Sequence, residues 1–309
     1  MNRRKIIAIM ISAAGLLAAV FASTTLWKIG GRNFKTETSR PSFILYNNLY
    51  GTPQQFMEGI YAANNRELID DNRQIRGLIV PHHLVASEDI SMGIRALVGQ
   101  KVKNIILISP DHFGRCPTML CTTLSDYETF FGHVFASPQI VAGLSASSIT
   151  TNNQELFKNE HGIYAVTPFV AKYLNGVTVT PVVVSQKDRN SNKKAMLNLI
   201  GSQLKEGTVI IVSSDFSHYL NLKKANEMDE ATKGVLAGGD LEKVASLNNP
   251  GQSDCPSCLW LLGSLAKERG FYHPDFLMHT NSAEILNNKE VDETTSHFTV
   301  LWRESAAAN

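Results

Sequence analysis

The sequence predicts an α/β fold: a single domain with a central mixed, largely parallel sheet flanked by helices. Three observations lead there. Short β-branched runs recur at 75–80, 102–109, 177–184 and 208–213, with the apolar continuity of strands buried on both faces. Segments of helical periodicity lie between them, as crossover connections require. Three of the runs end abruptly in polar, histidine-bearing loops, and strand ends are where open α/β sheets build ligand sites.

The elements follow in chain order. Arg3, Arg4 and Lys5 precede an apolar run of 17 residues from Ile6 to Ala22. A charged start before such a run reads residues 1–24 as a membrane anchor or signal segment. The basic start keeps the N-terminus in the cytoplasm and sends the domain outside it. The expectation is an uncleaved anchor; the alternative is a secreted or periplasmic protein, cut after Val20-Phe21-Ala22. Residues 25–42, with Gly30-Gly31 and Pro41, read as a linker. Residues 43–309 form the domain. Its start is mixed in character, with a turn at Gly51-Thr52-Pro53.

Strand 75–80 is followed by a helix over 87–98, carried by Ile90, Ile94, Leu97 and Val98, with Ser87 as its cap candidate. Strand 102–109 stops at Pro110. The aromatic stretch 124–134 suggests a loop or hairpin, and 137–144 a helix. Residues 163–174 show a stripe of Ile163, Val166, Val170 and Leu174, which Pro168 should bend or shorten. Strand 177–184, helix 193–204 and strand 208–213 come next. Helices are expected over 222–236, 241–247 and 258–269, the last stopped by Gly270, before a final strand at 298–302.

Composition narrows the function classes. The 309 residues are 43% apolar, enough for a full core, and the formal charge is +1. With 29 Lys and Arg against 28 Asp and Glu, no basic excess points to nucleic acid.

The chemistry-bearing residues cluster in short segments. His82, in Pro81-His82-His83, and His112, in Pro110-Asp111-His112, each follow a proline that ends a strand. Together with a cysteine they make a ligand set that suits zinc, iron or copper. In Ser213-Ser214-Asp215-Phe216-Ser217-His218, the spacing of Asp215 and His218 puts both on one face of a helical turn, an arrangement for proton transfer. Helix capping by Ser214 or Asp215 explains the same residues. Cys255 and Cys258 flank a Pro-Ser pair before an apolar helix. A thiol there is acidified by the helix dipole, and a disulfide between the two is the alternative. Cys116 and Cys121 read as structural or reduced. His133, His273, His279 and His297 read as structural histidines.

The order Pro-His, Pro-x-His, Glu160-His161-x-Ile163, Ser213-Ser214-Asp215-x-Ser217-His218-Tyr219, then Cys255 before an apolar helix resembles the Memo family, whose bacterial members are called AmmeMemoRadiSam system protein B. The resemblance runs from about Gly77 to Trp302. It implies the fold of class III extradiol dioxygenases and a metal site of His82, His112 and Cys255. His161, Asp215 and His218 are implied beside it as catalytic, proton-handling groups. It further implies iron or copper, with zinc compatible, and other AmmeMemoRadiSam-system proteins as partners; the membrane as a partner rests on the N-terminal segment, and the absence of nucleic acid on the balanced charge. The expected function is the binding of a redox-active transition metal at this His/His/Cys site, with oxidoreductase as the activity if the protein is an enzyme; the alternative is a non-catalytic metal carrier or AmmeMemoRadiSam-system assembly protein. This chain departs from the family pattern in three places in the domain, and its membrane-directing N-terminus is unlike a cytosolic member. Tyr164 stands where a Glu is usual, Pro256 and Cys258 follow Cys255, and His83 replaces a small residue.

Overall fold

A computed structural model describes residues 45–47, 49–68, 71–187, 192–271 and 273–305. All of them belong to one unit, Phe43–Asn309. The expected N-terminal anchor and the linker lie outside the described residues. Among the described residues, no helix is long and apolar enough to cross a membrane.

Four parallel strands form the centre of the sheet: β2 (Ile75–Val80), β9 (Thr208–Ser213), β3 (Asn104–Pro110) and β8 (Thr178–Val184), side by side in that order. These are the four β-branched runs of the sequence. β-Branched side chains suit a pleated surface, and burial on both faces removes any need for polar alternation.

The sheet turns antiparallel at its edges. On one side β12 (Thr294–Arg303) pairs with β2, and both β11 (Pro274–Asn281) and β10 (His218–Leu220) pair with β12. On the other side β4 (Leu120–Thr122) runs antiparallel to β8, with β7 (Thr150–Asn152) beyond it. The mixed, largely parallel sheet expected from the sequence is therefore present, with nine strands among the described residues. A small separate sheet joins β1 (Leu45–Asn47), β5 (Asp126–Thr129) and β6 (Gly132–Val134). Its β5–β6 part is the hairpin expected near 124–134.

Alternate residues of each central strand feed opposite cores, as a period of two demands. Leu78, Leu107, Val183 and Ile211 join one cluster, and Ile79, Ile108, Val182 and Val212 join the other. Helices Pro53–Asn64, Ser87–Arg95 and Thr167–Tyr173 cover the first face through Phe56, Ile60, Ile90, Ile94 and Phe169. Helices Pro138–Ser145, Lys193–Gln203 and Pro256–Glu268 cover the second through Leu144, Ile200, Leu261 and Leu265. Pro168 acts as expected: the periodic stretch breaks into two short helices, His161–Tyr164 and Thr167–Tyr173, with the proline in the first turn of the second.

Candidate metal centre

Parallel strands send all their C-terminal ends to one edge of the sheet. The loops after β2, β9 and β3 therefore emerge together, and they carry His82, Ser214-Asp215 and His112. β9 lies between the other two, so Asp215 emerges between the histidines. His82 and His112 come from strands about 10 Å apart, two interstrand spacings. Their rings lean inward until the two Nε2 atoms are 3.2 Å apart.

Each ring is held by its other nitrogen. His82 Nδ1 lies 3.1 Å from Ser213 Oγ, and His112 Nδ1 lies 2.5 Å from Glu160 Oε1. With Nδ1–H donating to these oxygens, each Nε2 faces the centre, and its lone pair is offered to an ion once the Nε2 proton is released. This is the tautomer that a metal ligand needs, fixed by the partner behind it. Glu160 is fully buried and has further partners: the backbone N–H of Gly162 at 3.3 Å and that of His112 at 3.4 Å donate to it.

The third donor is Asp254, which sequence reasoning passed over. Its Oδ2 is 3.2 Å from His82 Nε2 and 3.8 Å from His112 Nε2. Its Oδ1 accepts from Ser214 Oγ at 2.7 Å, and its backbone N–H donates to the Asp215 carbonyl at 3.2 Å. The position before the apolar helix had been assigned to its neighbour, Cys255. The signal was present, since an acidic residue just ahead of a helix at a crowded sheet edge is an obvious donor, but it reads equally well as a cap.

Cys255 requires a correction. Its sulfur is bonded to Cys258 in a disulfide, so it holds no thiolate to offer an ion. The backbone explains the arrangement: Cys255 caps the helix Pro256–Glu268 and Cys258 lies within its first turn, so the two Cα atoms are 5.2 Å apart. Cys116 and Cys121 also form a disulfide.

The geometry of the remaining donors fits one ion. Edges of 3.2, 3.2 and 3.8 Å join His82 Nε2, His112 Nε2 and Asp254 Oδ2. A point equidistant from the corners of such a triangle is about 2.0 Å from each, the usual bond length from a divalent transition metal to imidazole nitrogen or carboxylate oxygen. His82, His112 and His161 also bring one ring nitrogen each within 4.8 Å of one another, as do His82, Asp215 and Asp254 with one donor atom each.

His161 packs its ring against His112, with centroids 3.9 Å apart. It is brought there by the short helix that Glu160 caps, and Gly162 allows the approach. A Cβ at Gly162 would fall 2.1 Å from Ser109 Oγ. Asp215 accepts from the His82 backbone N–H at 3.1 Å, and its other oxygen is 3.4 Å from His82 Nε2. His218 is not on a shared helical face with Asp215. It opens β10, and its Nδ1 is bonded to the Phe216 carbonyl. The expected helical turn is absent because the chain leaves β9 through a buried loop and pairs at once with β12.

The electrostatics are those of a buried charge cluster. Burial disfavours the His112 cation, but the hydrogen bonds its ring donates to the Asp254 and Glu160 carboxylates outweigh that and carry the ring up to about 10. Burial likewise opposes charge on His82, and Asp215 and Asp254 overcome it, raising the ring above the usual imidazole range. Burial and the adjacent His112 and His82 rings push His161 down to about 3, leaving it neutral near pH 7. The Asp254 carboxyl is held well below the carboxylate range by the two histidines despite its burial.

Residues 45–255 match the family model described as Memo-like protein. The chain belongs to the Memo-like protein family. The matched span contains His82, His112, His161, Asp215 and Asp254. Among similar proteins is a MEMO1 family protein of Pyrobaculum aerophilum, 24% identical over 211 residues, covering 64% of this chain and 71% of that one. Another, from Thermoplasma volcanium, is 25% identical over 239 residues, covering 73% and 84%. A crystal structure of an uncharacterized protein from Escherichia coli K12 overlays with a TM-score of 0.48 at 13% identity, covering 74% of this chain and 99% of that chain.

Proposed function

We propose that this Memo-like protein binds one divalent transition-metal ion through His82, His112 and Asp254. The convergence of two imidazole lone pairs and one carboxylate oxygen on a common point carries this reading. Two histidines and a carboxylate suit iron(II) or zinc. Losing the thiolate expected from Cys255 moves the site away from copper(I), which prefers soft ligands. Bound there, such an ion supplies Lewis-acid or redox chemistry at its open positions.

The protein's own groups give that site a working arrangement. Glu160 and Ser213 orient the two histidines. His161, neutral and beside His112, is placed to hydrogen-bond a ligand at the centre, and Asp215 stands on the His82 side. The reaction class we assign is oxidation–reduction. A non-catalytic carrier or assembly role is favoured by one observation. Tyr164 occupies the place of the family's usual Glu and is buried edge-on against Tyr127, at 5.4 Å between centroids, so it adds no carboxylate to the centre.

Elemental analysis of the purified full-length chain after loading with iron(II) or zinc tests the metal reading. About one ion held by these three residues, lost in His82→Ala, supports it. An ion content unchanged by His82→Ala removes it. Oxygen consumption in the presence of a reductant then separates the catalytic role from the carrier.

A further inference from the structure

His297 reads from the sequence as a structural histidine and His83 as a departure from the family pattern, yet the two rings meet beside the centre. His83 follows His82 directly, and consecutive extended residues point in opposite directions. With His82 turned toward His112, His83 is turned toward β12. That strand runs antiparallel to β2, so the residues ahead of Val300 pass alongside those following Val80. His297 is among them. The rings of His83 and His297 are 5.6 Å apart between centroids.

Asp215 stands between the two groups. His83, Asp215 and His297 each bring one donor atom to within 4.8 Å of the others. Asp215 also faces His82 at 3.4 Å. A carboxylate has lone pairs enough to serve both sides. The decisive detail is in His297. The residue is fully buried on β12, its Nδ1 lies 3.4 Å from Thr280 Oγ1, and its Nε2 has no hydrogen-bond partner among the described residues. Buried polar nitrogens are almost always satisfied, so an orphan next to a carboxylate and a second imidazole is placed to take a cation or a water.

We propose that His83, Asp215 and His297 form a second cation site, taking a divalent transition metal such as zinc, and that Asp215 is shared between it and the centre at His82, His112 and Asp254. The tandem histidines at 82 and 83 then serve one site each. This inference depends on the first metal reading only through Asp215; its two imidazoles are its own.

The test is zinc stoichiometry. The full-length chain is stripped of metal, dialysed to equilibrium against buffered free zinc, and assayed for zinc per chain. Two ions in the wild type, with one remaining in His83→Ala, one in His297→Asn and one in His112→Ala, are expected. His83 is the most exposed of its three donors, so its variant keeps the assay interpretable if His297→Asn fails to fold. One ion in the wild type, lost in His112→Ala and kept in His83→Ala, overturns the second site and leaves the first standing. Two ions retained in His83→Ala also overturn it. No zinc in the wild type overturns both.

Discussion

Glu160 Oε1 lies 2.5 Å from His112 Nδ1, and the carboxylate that makes this contact has no exposure to solvent. The bond decides which nitrogen of His112 carries the proton and so which faces His82 and Asp254.

Glu160→Gln keeps the shape and removes the charge. The amide can still accept from Nδ1–H, but it can also present its NH2 to the ring and reverse the tautomer. Metal affinity should fall by about 10- to 100-fold, the range seen when groups behind a ligating histidine are altered. Titration of the metal-free variant with zinc, monitored by calorimetry, measures it. An unchanged affinity would show that Glu160 does not set the ring.

Gly162 is the close-packing point that brings His161 and Glu160 to the end of β3. In Gly162→Ala the new methyl would meet Ser109 Oγ at 2.1 Å and Ser109 Cβ at 3.0 Å. Overpacking of this kind costs about 1–3 kcal/mol. Thermal unfolding should show the loss, and adding Ser109→Ala should restore part of it by removing the nearer atom. No recovery in the double variant would mean that the strain lies elsewhere.

Asp89 supplies a pH dependence away from the centre. It is buried beneath β11 and β12, accepting from Thr280 Oγ1 at 2.8 Å, and burial pushes its carboxyl up to about 7. An unfolded chain releases this proton near pH 4, whereas the folded protein keeps it until about pH 7. The contribution of Asp89 to stability is therefore full below pH 4 and is lost as pH rises toward 7. The loss is on the order of a few kcal/mol. Asp89→Asn should flatten that part of the stability curve and leave the variant more stable than the wild type at pH 8. Chemical denaturation at pH 5 and pH 8 checks both arms.

Much of this architecture could be read before any coordinates. The four central strands announce themselves because strands buried on both faces need only β-branched side chains. The same fact put His82, Asp215 and His112 at strand ends, and the strand order β2-β9-β3 makes those ends neighbours. What escaped was short, polar or set by tertiary contact. β4, β7 and β10 are three residues each and carry no pattern of their own. The helix Pro53–Asn64 was missed although Thr52 and Gln55 form a capping box at its start. Asp254 was overlooked because sulfur next to it drew the ligand assignment, and between the thiolate and the Cys255–Cys258 disulfide that the sequence left open the fold has the disulfide. His297 read as a core histidine because nothing local ties it to His83, 214 positions away in the chain.

The central claim is that Asp254, and not Cys255, completes the donor set with His82 and His112. The direct measurement is metal content of the full-length chain after loading under non-reducing conditions, in Asp254→Ala and in Cys255→Ser with Cys258→Ser. The account predicts that Asp254→Ala loses the ion that His82 and His112 hold while the cysteine variant keeps it. Retention in Asp254→Ala together with loss in the cysteine variant would contradict it.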